Sequence, residues 1–102
     1  MSQGSIAEQA SGTFQLAGVL DYLSGPTLRE QGGRLIAASR ADSCVIDCTA
    51  VEKSSSVGLA LLLAFMRDAA AAGKSLSVRG LPQDMRDIAS VSGLLEVLPL
   101  EA

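Results

Sequence analysis

The sequence contains no histidine and no tryptophan. Without an imidazole, neither Ser-His-Asp nor Cys-His catalysis is open to it, and the commonest metal-ligating side chain is missing. Aromatic side chains are scarce: Tyr22, Phe14 and Phe65 are the whole complement. Few platforms are therefore available for stacking nucleic-acid bases, and the core has to be built from Leu, Val, Ile, Ala and Met. Basic residues never cluster. Arg29, Arg34, Arg40, Lys53, Arg67, Lys74, Arg79 and Arg86 are spaced singly in a chain of net charge −3, which argues against nucleic acid or an anionic membrane surface as the main partner. The longest apolar block, Val57 to Met66, is about half the roughly 20 residues a membrane-spanning helix needs. The opening MSQGSIAEQASG has neither a basic region nor an apolar core, so no signal peptide is expected. The expected location is cytoplasmic, with any membrane connection made through a partner.

Cysteine is also sparse. If CVIDC is a strand, Cys44 and Cys48 share a face roughly 13 Å apart at about 3.3 Å per residue. A disulfide needs Cα atoms within about 7 Å, so the pair reads as free, buried thiols. The spacing is not the C-x-x-C of a redox motif.

What is present is apolar content near half of 102 residues, enough for a single domain spanning residues 1–102 with one modest core. GTFQLAGVLD alternates Phe14, Leu16 and Leu20 against Thr13, Gln15 and Val19, the pattern of a strand. Ile6 to Gln9 reads as a short hairpin partner. In SGPTLREQGGRLIAAS, Ser24 is the expected N-cap and Pro26 sits in the first turn, where its missing donor costs nothing. Gly32-Gly33 costs this helix about 1 kcal/mol per glycine relative to alanine. Irregularity of the helix is the expectation there, with close packing against its backbone the alternative. CVIDCTAV, apolar on both sides, reads as a central strand buried on both faces. A helix from about Ser56 to Ala72, stopped by Gly73, follows. KSLSVRG is another short strand. Pro82 opens a last helix with Asp84 in its first turn and Met85, Ile88 and Ala89 facing inward. Ser92-Gly93 ends it, and LLEVLPLEA is an apolar tail that must dock or fray. Strands alternating with helices imply parallel pairing in an α/β fold.

The most informative stretch is VEKSSSVGLALLLAFMRD. On a helical wheel Leu59, Leu62, Leu63 and Met66 form a core-facing stripe. Ala60, Ala64, Arg67 and Ala71 form a second stripe, nearly bald and flanked by Leu61 and Phe65. An ordinary solvated face carries more Lys, Glu or Gln, so this stripe reads either as a docking surface or as alanine chosen for helix propensity. Ser54, Ser55 and Ser56 lie where the first backbone N–H groups of the helix lack partners. Capping, phosphorylation and contact with an acidic partner group are all open. Serine-nucleophile catalysis has no histidine to serve it, and a Ser-Lys pair with Lys53 would place the lysine in a loop rather than a pocket.

With VIDCTAV, the serine turn, VGLALLL and GKSLSVRGLPQDMRDIASVSGL in view, nearly the whole chain resembles the STAS domain family, the fold of bacterial anti-sigma-factor antagonists. That resemblance implies a small mixed sheet of about four strands with three helices, in the order β-β-α-β-α-β-α. Family members carry an Asp-Ser-Ser/Thr-Gly turn at the start of the second helix, whose serine after the Asp is phosphorylated by a partner kinase. Matched to SSVG, the turn puts Ser55 at the aspartate, Ser56 at the phosphoacceptor, Val57 next and Gly58 at the glycine. The aspartate is missing, and Val57 replaces a small or hydroxyl residue. The stretch VGLALLLAFMRDAAAAGKSLSVRG and the ending LEVLP are most similar to the MlaB-like branch, which supplies the STAS subunit of the Mla phospholipid ABC transporter in Gram-negative inner membranes. The resemblance implies no catalytic residue, no cofactor and no metal. The implied partner is the transporter's ATPase subunit, in complex with an inner-membrane permease; an anti-sigma-factor kinase is the alternative. The implied interface comprises Ser54, Ser55, Ser56, Val57, Gly58, Ala60, Leu61, Ala64 and Arg67.

Overall fold

The computed structural model describes residues 2–101. The elements run β1 (Ser5–Ala10), β2 (Thr13–Leu20), α1 (Gly25–Ala38), β3 (Ser43–Ser54), α2 (Ser56–Ala71), β4 (Ser75–Arg79) and α3 (Gln83–Val91). This is the expected α/β order. The sheet order is β1-β2-β3-β4. β1 and β2 form an antiparallel hairpin, while β2–β3 and β3–β4 pair in parallel through helical crossovers.

Alternation decides which face of the sheet is covered. Phe14, Leu16 and Leu20 of β2 and Cys44, Ile46 and Cys48 of β3 are buried, and they join one cluster with Leu28 and Ile36 of α1, Leu62 and Phe65 of α2 and Met85 and Ala89 of α3. On the other face Thr13, Gln15, Ala17, Val19, Val45 and Asp47 are only half-buried. β3 is central, as expected, but it is buried on one face rather than two. The pairing of β2 with β3 shifts between Gln15 and Ala17 and again between Gly18 and Val19. After the first shift the buried positions of β3 move from Cys48 to Val51 and then Ser54. A bulge lets one strand change which residues face inward without leaving the ladder.

Gly32 overturns the expectation of an irregular first helix. α1 runs unbroken through the glycine pair, and a Cβ at Gly32 would overlap Cε1 and Cζ of the Phe65 ring. The glycine is there because α2 packs onto the α1 backbone. At Gly33 a Cβ would sit 2.9 Å from Asp68 Oδ2 and 3.0 Å from Arg29 Nη1. Those two groups form the ion pair that links α1 to α2, at 2.6 Å and 3.1 Å.

Two further features close the fold. Gly73 takes φ 72° after α2, and the Lys74 N–H returns to the Ala69 carbonyl at 2.8 Å, which terminates the helix. The Lys74 ammonium then donates to the carbonyls of Ser39 and Ala41. The C-terminal tail docks rather than frays: Leu98 is buried, the Val78 N–H donates to the Pro99 carbonyl at 2.9 Å, and the Glu101 N–H donates to the Val78 carbonyl at 2.8 Å. The tail thereby covers the outer edge of β4, the kind of edge that otherwise invites pairing with another chain.

Candidate partner-docking site

The serine turn joins β3 to α2. Ser55 is the N-cap of α2: its Oγ accepts the Val57 N–H at 3.2 Å, and its own N–H donates to the Leu20 carbonyl at 3.0 Å. Ser56 is the first helical residue and is exposed. Ser54 points inward. It is buried, its hydroxyl donates to the Ser55 carbonyl at 2.7 Å, and its N–H donates to Asp84 Oδ2 at 3.0 Å. Asp84 Oδ1 accepts the Met85 N–H at 2.8 Å. The aspartate that the sequence offers only as a helix-dipole residue thus ties the start of α3 to the end of β3.

The three serines therefore divide into one internal brace, one cap and one exposed position. The buried position 58 has room only for glycine. A Cβ would overlap Ser54 Oγ and lie 3.0 Å from Met85 Cε and 3.1 Å from Leu20 Cδ1.

The helical wheel of α2 needs correction. Ala64, assigned to the bald docking stripe, and Leu61, assigned to its flank, are each only 4% exposed. Leu63 and Met66, assigned to the core stripe, are half-buried, whereas Ser56, Ala60, Arg67, Ala70 and Ala71 are exposed. The cause is lateral packing. The helix lies between α1 and α3 as well as on the sheet. Gly25 of α1 comes so close that a Cβ there would be 2.8 Å from Val57 Cγ1, and Asp68 reaches Arg29 of α1. Ala64 sits on that same side of the wheel, at 100° per residue. A helix covered on three sides exposes a narrow arc, here running through Ser56, Ala60, Leu63 and Arg67. Of the expected interface, Ser55, Ser56, Val57, Ala60 and Arg67 reach the surface; Ser54, Gly58, Leu61 and Ala64 support it from inside.

The sequence matches the family described as "Mlab, STAS domain" over residues 6–99. The chain belongs to the STAS domain family. Among solved structures, an anti-sigma factor antagonist from Mycobacterium paratuberculosis is similar at 26% identity and a TM-score of 0.76, covering 96% of this chain and 83% of that one. The unphosphorylated anti-sigma factor antagonist SpoIIAA matches at 17% identity and a TM-score of 0.73, covering 98% of this chain and 89% of that one. The Bacillus cell fate determinant SpoIIAA in its phosphorylated form matches at 18% identity and a TM-score of 0.66, covering 98% and 92%. No curated protein matches the chain.

Within the STAS frame, Ser55 occupies the position where the resemblance expects aspartate, and the geometry explains why the turn survives. Serine and aspartate are comparable N-caps, so the fold keeps its cap and loses only a charge. Sequence reasoning missed a neighbouring feature. Tyr22 and Leu23, in the loop from β2 to α1, are 77% and 71% exposed. The signal available was DYLSG itself, two large apolar residues inside a turn-forming frame of Asp, Ser and Gly. Among the described residues, no helix is long and apolar enough to cross a membrane.

Proposed function

We propose that this STAS domain is a non-catalytic accessory subunit that binds and stabilises the cytoplasmic ATPase of an Mla-type ABC phospholipid transporter, and so serves outer-membrane lipid asymmetry. Its place is the cytoplasmic side of the inner membrane, held there by the ATPase and its permease. The observation that carries this reading is the match to the family described as "Mlab, STAS domain" across residues 6–99. The docking face is the exposed arc of α2 with the turn before it: Ser55, Ser56, Val57, Ala60 and Arg67. Ser56 at a helix N-terminus marks its centre.

Co-expression with an Mla-type ATPase and its permease tests the proposal. The wild-type chain should co-purify with the ATPase. Ser56→Glu should fold normally, because an anion in the first turn of a helix is tolerated, yet it should weaken the complex by placing a larger charged group in the interface. A Ser56→Glu variant that binds as tightly as wild type would remove Ser56 from the centre of the face.

A second reading is an anti-sigma-factor antagonist switched by phosphorylation of Ser56. It is favoured by the Mycobacterium paratuberculosis antagonist, similar at 26% identity, and by the exposure of Ser56. Incubation with a cognate anti-sigma-factor kinase and ATP separates the two. A phosphate found on Ser56 by mass spectrometry, with loss of kinase binding, supports the switch; an inert Ser56 and a stable ATPase complex support the transporter subunit.

A further inference from the structure

β4 is shorter than its neighbour. Its pairing with β3 ends where Asp47 meets Arg79, so residues 48–54 of β3 have β2 on one side and no strand on the other. That overhang leads directly into the serine turn. Backbone N–H groups on such an edge still need acceptors, and here two of them find carboxylates. Asp47 Oδ1 accepts the Thr49 N–H at 3.0 Å, a local bond. At the far end the Ser54 N–H goes to Asp84 Oδ2 at 3.0 Å, on another element.

The Asp84 carboxylate works on both sides of this joint. Met85 is the third residue of α3, a position whose N–H has no acceptor inside the helix, and Asp84 Oδ1 takes it at 2.8 Å. One side chain thus satisfies the start of α3 and the end of β3. The neighbours leave the joint little slack. Ser54 is buried, and its hydroxyl donates to the Ser55 carbonyl at 2.7 Å. Gly58 lies against Ser54 Oγ and Met85 Cε. The next N–H along, that of Ser55, is held from β2 by the Leu20 carbonyl at 3.0 Å. Of these acceptors Asp84 is the charged one, and charge-assisted hydrogen bonds are roughly twice as strong as neutral ones.

We propose that Asp84 is a positioning residue for the docking face: from α3 it fixes the end of β3, and so the direction in which Ser56 and Val57 are presented to the ATPase subunit. The role rests on the transporter-subunit reading and deepens it, because a residue outside the face then governs how well the face binds. Coupling of this kind is reciprocal. If the bond prepares the turn for the partner, the partner steadies the bond and the start of α3.

The test compares Asp84→Ala and Asp84→Asn with Asp87→Asn. Asp87 is exposed on the same helix and accepts from Gln83 Nε2 at 2.8 Å, so its neutralisation removes an equal charge without touching Ser54. Because position 84 is exposed, each variant should still unfold in one cooperative transition. Amide hydrogen exchange by NMR reads the joint, and binding kinetics with a purified Mla-type ATPase subunit read the face. In Asp84→Ala the Ser54 and Met85 amides should exchange at least about tenfold faster, relative to the β2 amides. Kd should rise about tenfold, the change expected when the turn holds its docking geometry about a tenth of the time. The rise should sit in kon, because lost pre-organisation slows productive encounter, whereas a lost contact speeds dissociation. Asp84→Asn keeps one acceptor oxygen and should fall between Asp84→Ala and wild type; Asp87→Asn should change Kd less than about twofold. Binding should slow exchange at Met85 in wild type but not in Asp84→Ala. An unchanged Kd in Asp84→Ala, despite a freed Ser54 amide, would reduce the brace to a stability role and overturn the proposal. So would a Kd that rises through koff while the Ser54 amide stays protected, the mark of direct contact. A wild-type chain that does not bind the ATPase would remove the transporter reading, and this role with it.

Discussion

Adjacent glycines in α1 should respond with opposite sign to the same substitution. Alanine in place of glycine inside a helix gains about 1 kcal/mol of propensity. At Gly32 the new methyl overlaps two atoms of the Phe65 ring, and Phe65 is fully buried. The ring has no room to retreat, so the overpacking cost lies near the upper end of about 1–3 kcal/mol. The net for Gly32→Ala is a loss of about 2 kcal/mol, or on the order of 10 °C in Tm for a domain of this size. At Gly33 the methyl meets only the ends of two flexible side chains, Asp68 Oδ2 and Arg29 Nη1. Shifting that partly exposed ion pair forfeits at most about 1 kcal/mol. Gly33→Ala should therefore be neutral or stabilising by up to about 1 kcal/mol. Urea unfolding gives both values, with the slope against denaturant unchanged. In a Phe65→Leu background, which removes the colliding ring edge, the further loss from Gly32→Ala should shrink. The packing account would be refuted if Gly32→Ala and Gly33→Ala shifted stability equally, or if the Phe65→Leu background made no difference.

Two further predictions concern the cap and the thiols. Ser55→Ala should cost about 1 kcal/mol by leaving the Val57 N–H without its side-chain acceptor, and Ser55→Asp should restore most of it, as measured by thermal unfolding. Burial pushes the Cys48 thiol from 9.0 up to about 12, with the Asp47 carboxylate adding to the rise. Between those values the folded chain keeps a proton that the unfolded chain has released. Stability is thus unaffected by this group below about pH 9 and falls above it, by about 1.4 kcal/mol per pH unit. Cys48→Ala should lower stability overall but flatten this alkaline limb in urea midpoints measured against pH; an unchanged limb would assign the slope to other groups.

Periodicity made most of the architecture readable. Phe14, Leu16 and Leu20 alternate with half-buried neighbours as read, and the element order follows. The failures share one cause, that a sequence window does not display its lateral neighbours. Gly32-Gly33 has the propensity of a break, but whether a backbone breaks or is pressed upon depends on Phe65, some thirty positions away and on another helix. The α2 wheel failed the same way. A two-sided wheel assumes one wet half, and α2 loses part of that half to α1, so Ala64 is small because it is packed rather than because it faces a partner. β3 erred in the other direction. Its apolar run suggested burial on both faces, yet the helices cover one only, and bulges redistribute which residues face inward. Tyr22 and Leu23 escaped notice because exposure of a loop side chain is a property of the folded surface, with no periodic signature.

The serine turn shows how a fold can retain a structural role while giving up an electrostatic one. The cap needs an oxygen that accepts the Val57 N–H, and Ser55 supplies it at 3.2 Å. Aspartate would supply the same oxygen together with a full negative charge beside Ser56. The Asp84 carboxylate, which reaches this turn, is already committed to the N–H groups of Ser54 and Met85. The start of α2 is left with a neutral cap, half-buried Val57 and exposed Ser56 and Ala60. Burying such a surface against a partner requires no carboxylate at position 55 to be stripped of water, a cost of several kcal/mol for an ion that finds no compensating charge. The same surface also lacks the charge that would sharpen a phosphate's effect through repulsion at close range. Ser55, at the position the STAS resemblance gives to aspartate, therefore suits a face for standing association better than one switched on and off, in keeping with the proposed accessory-subunit role.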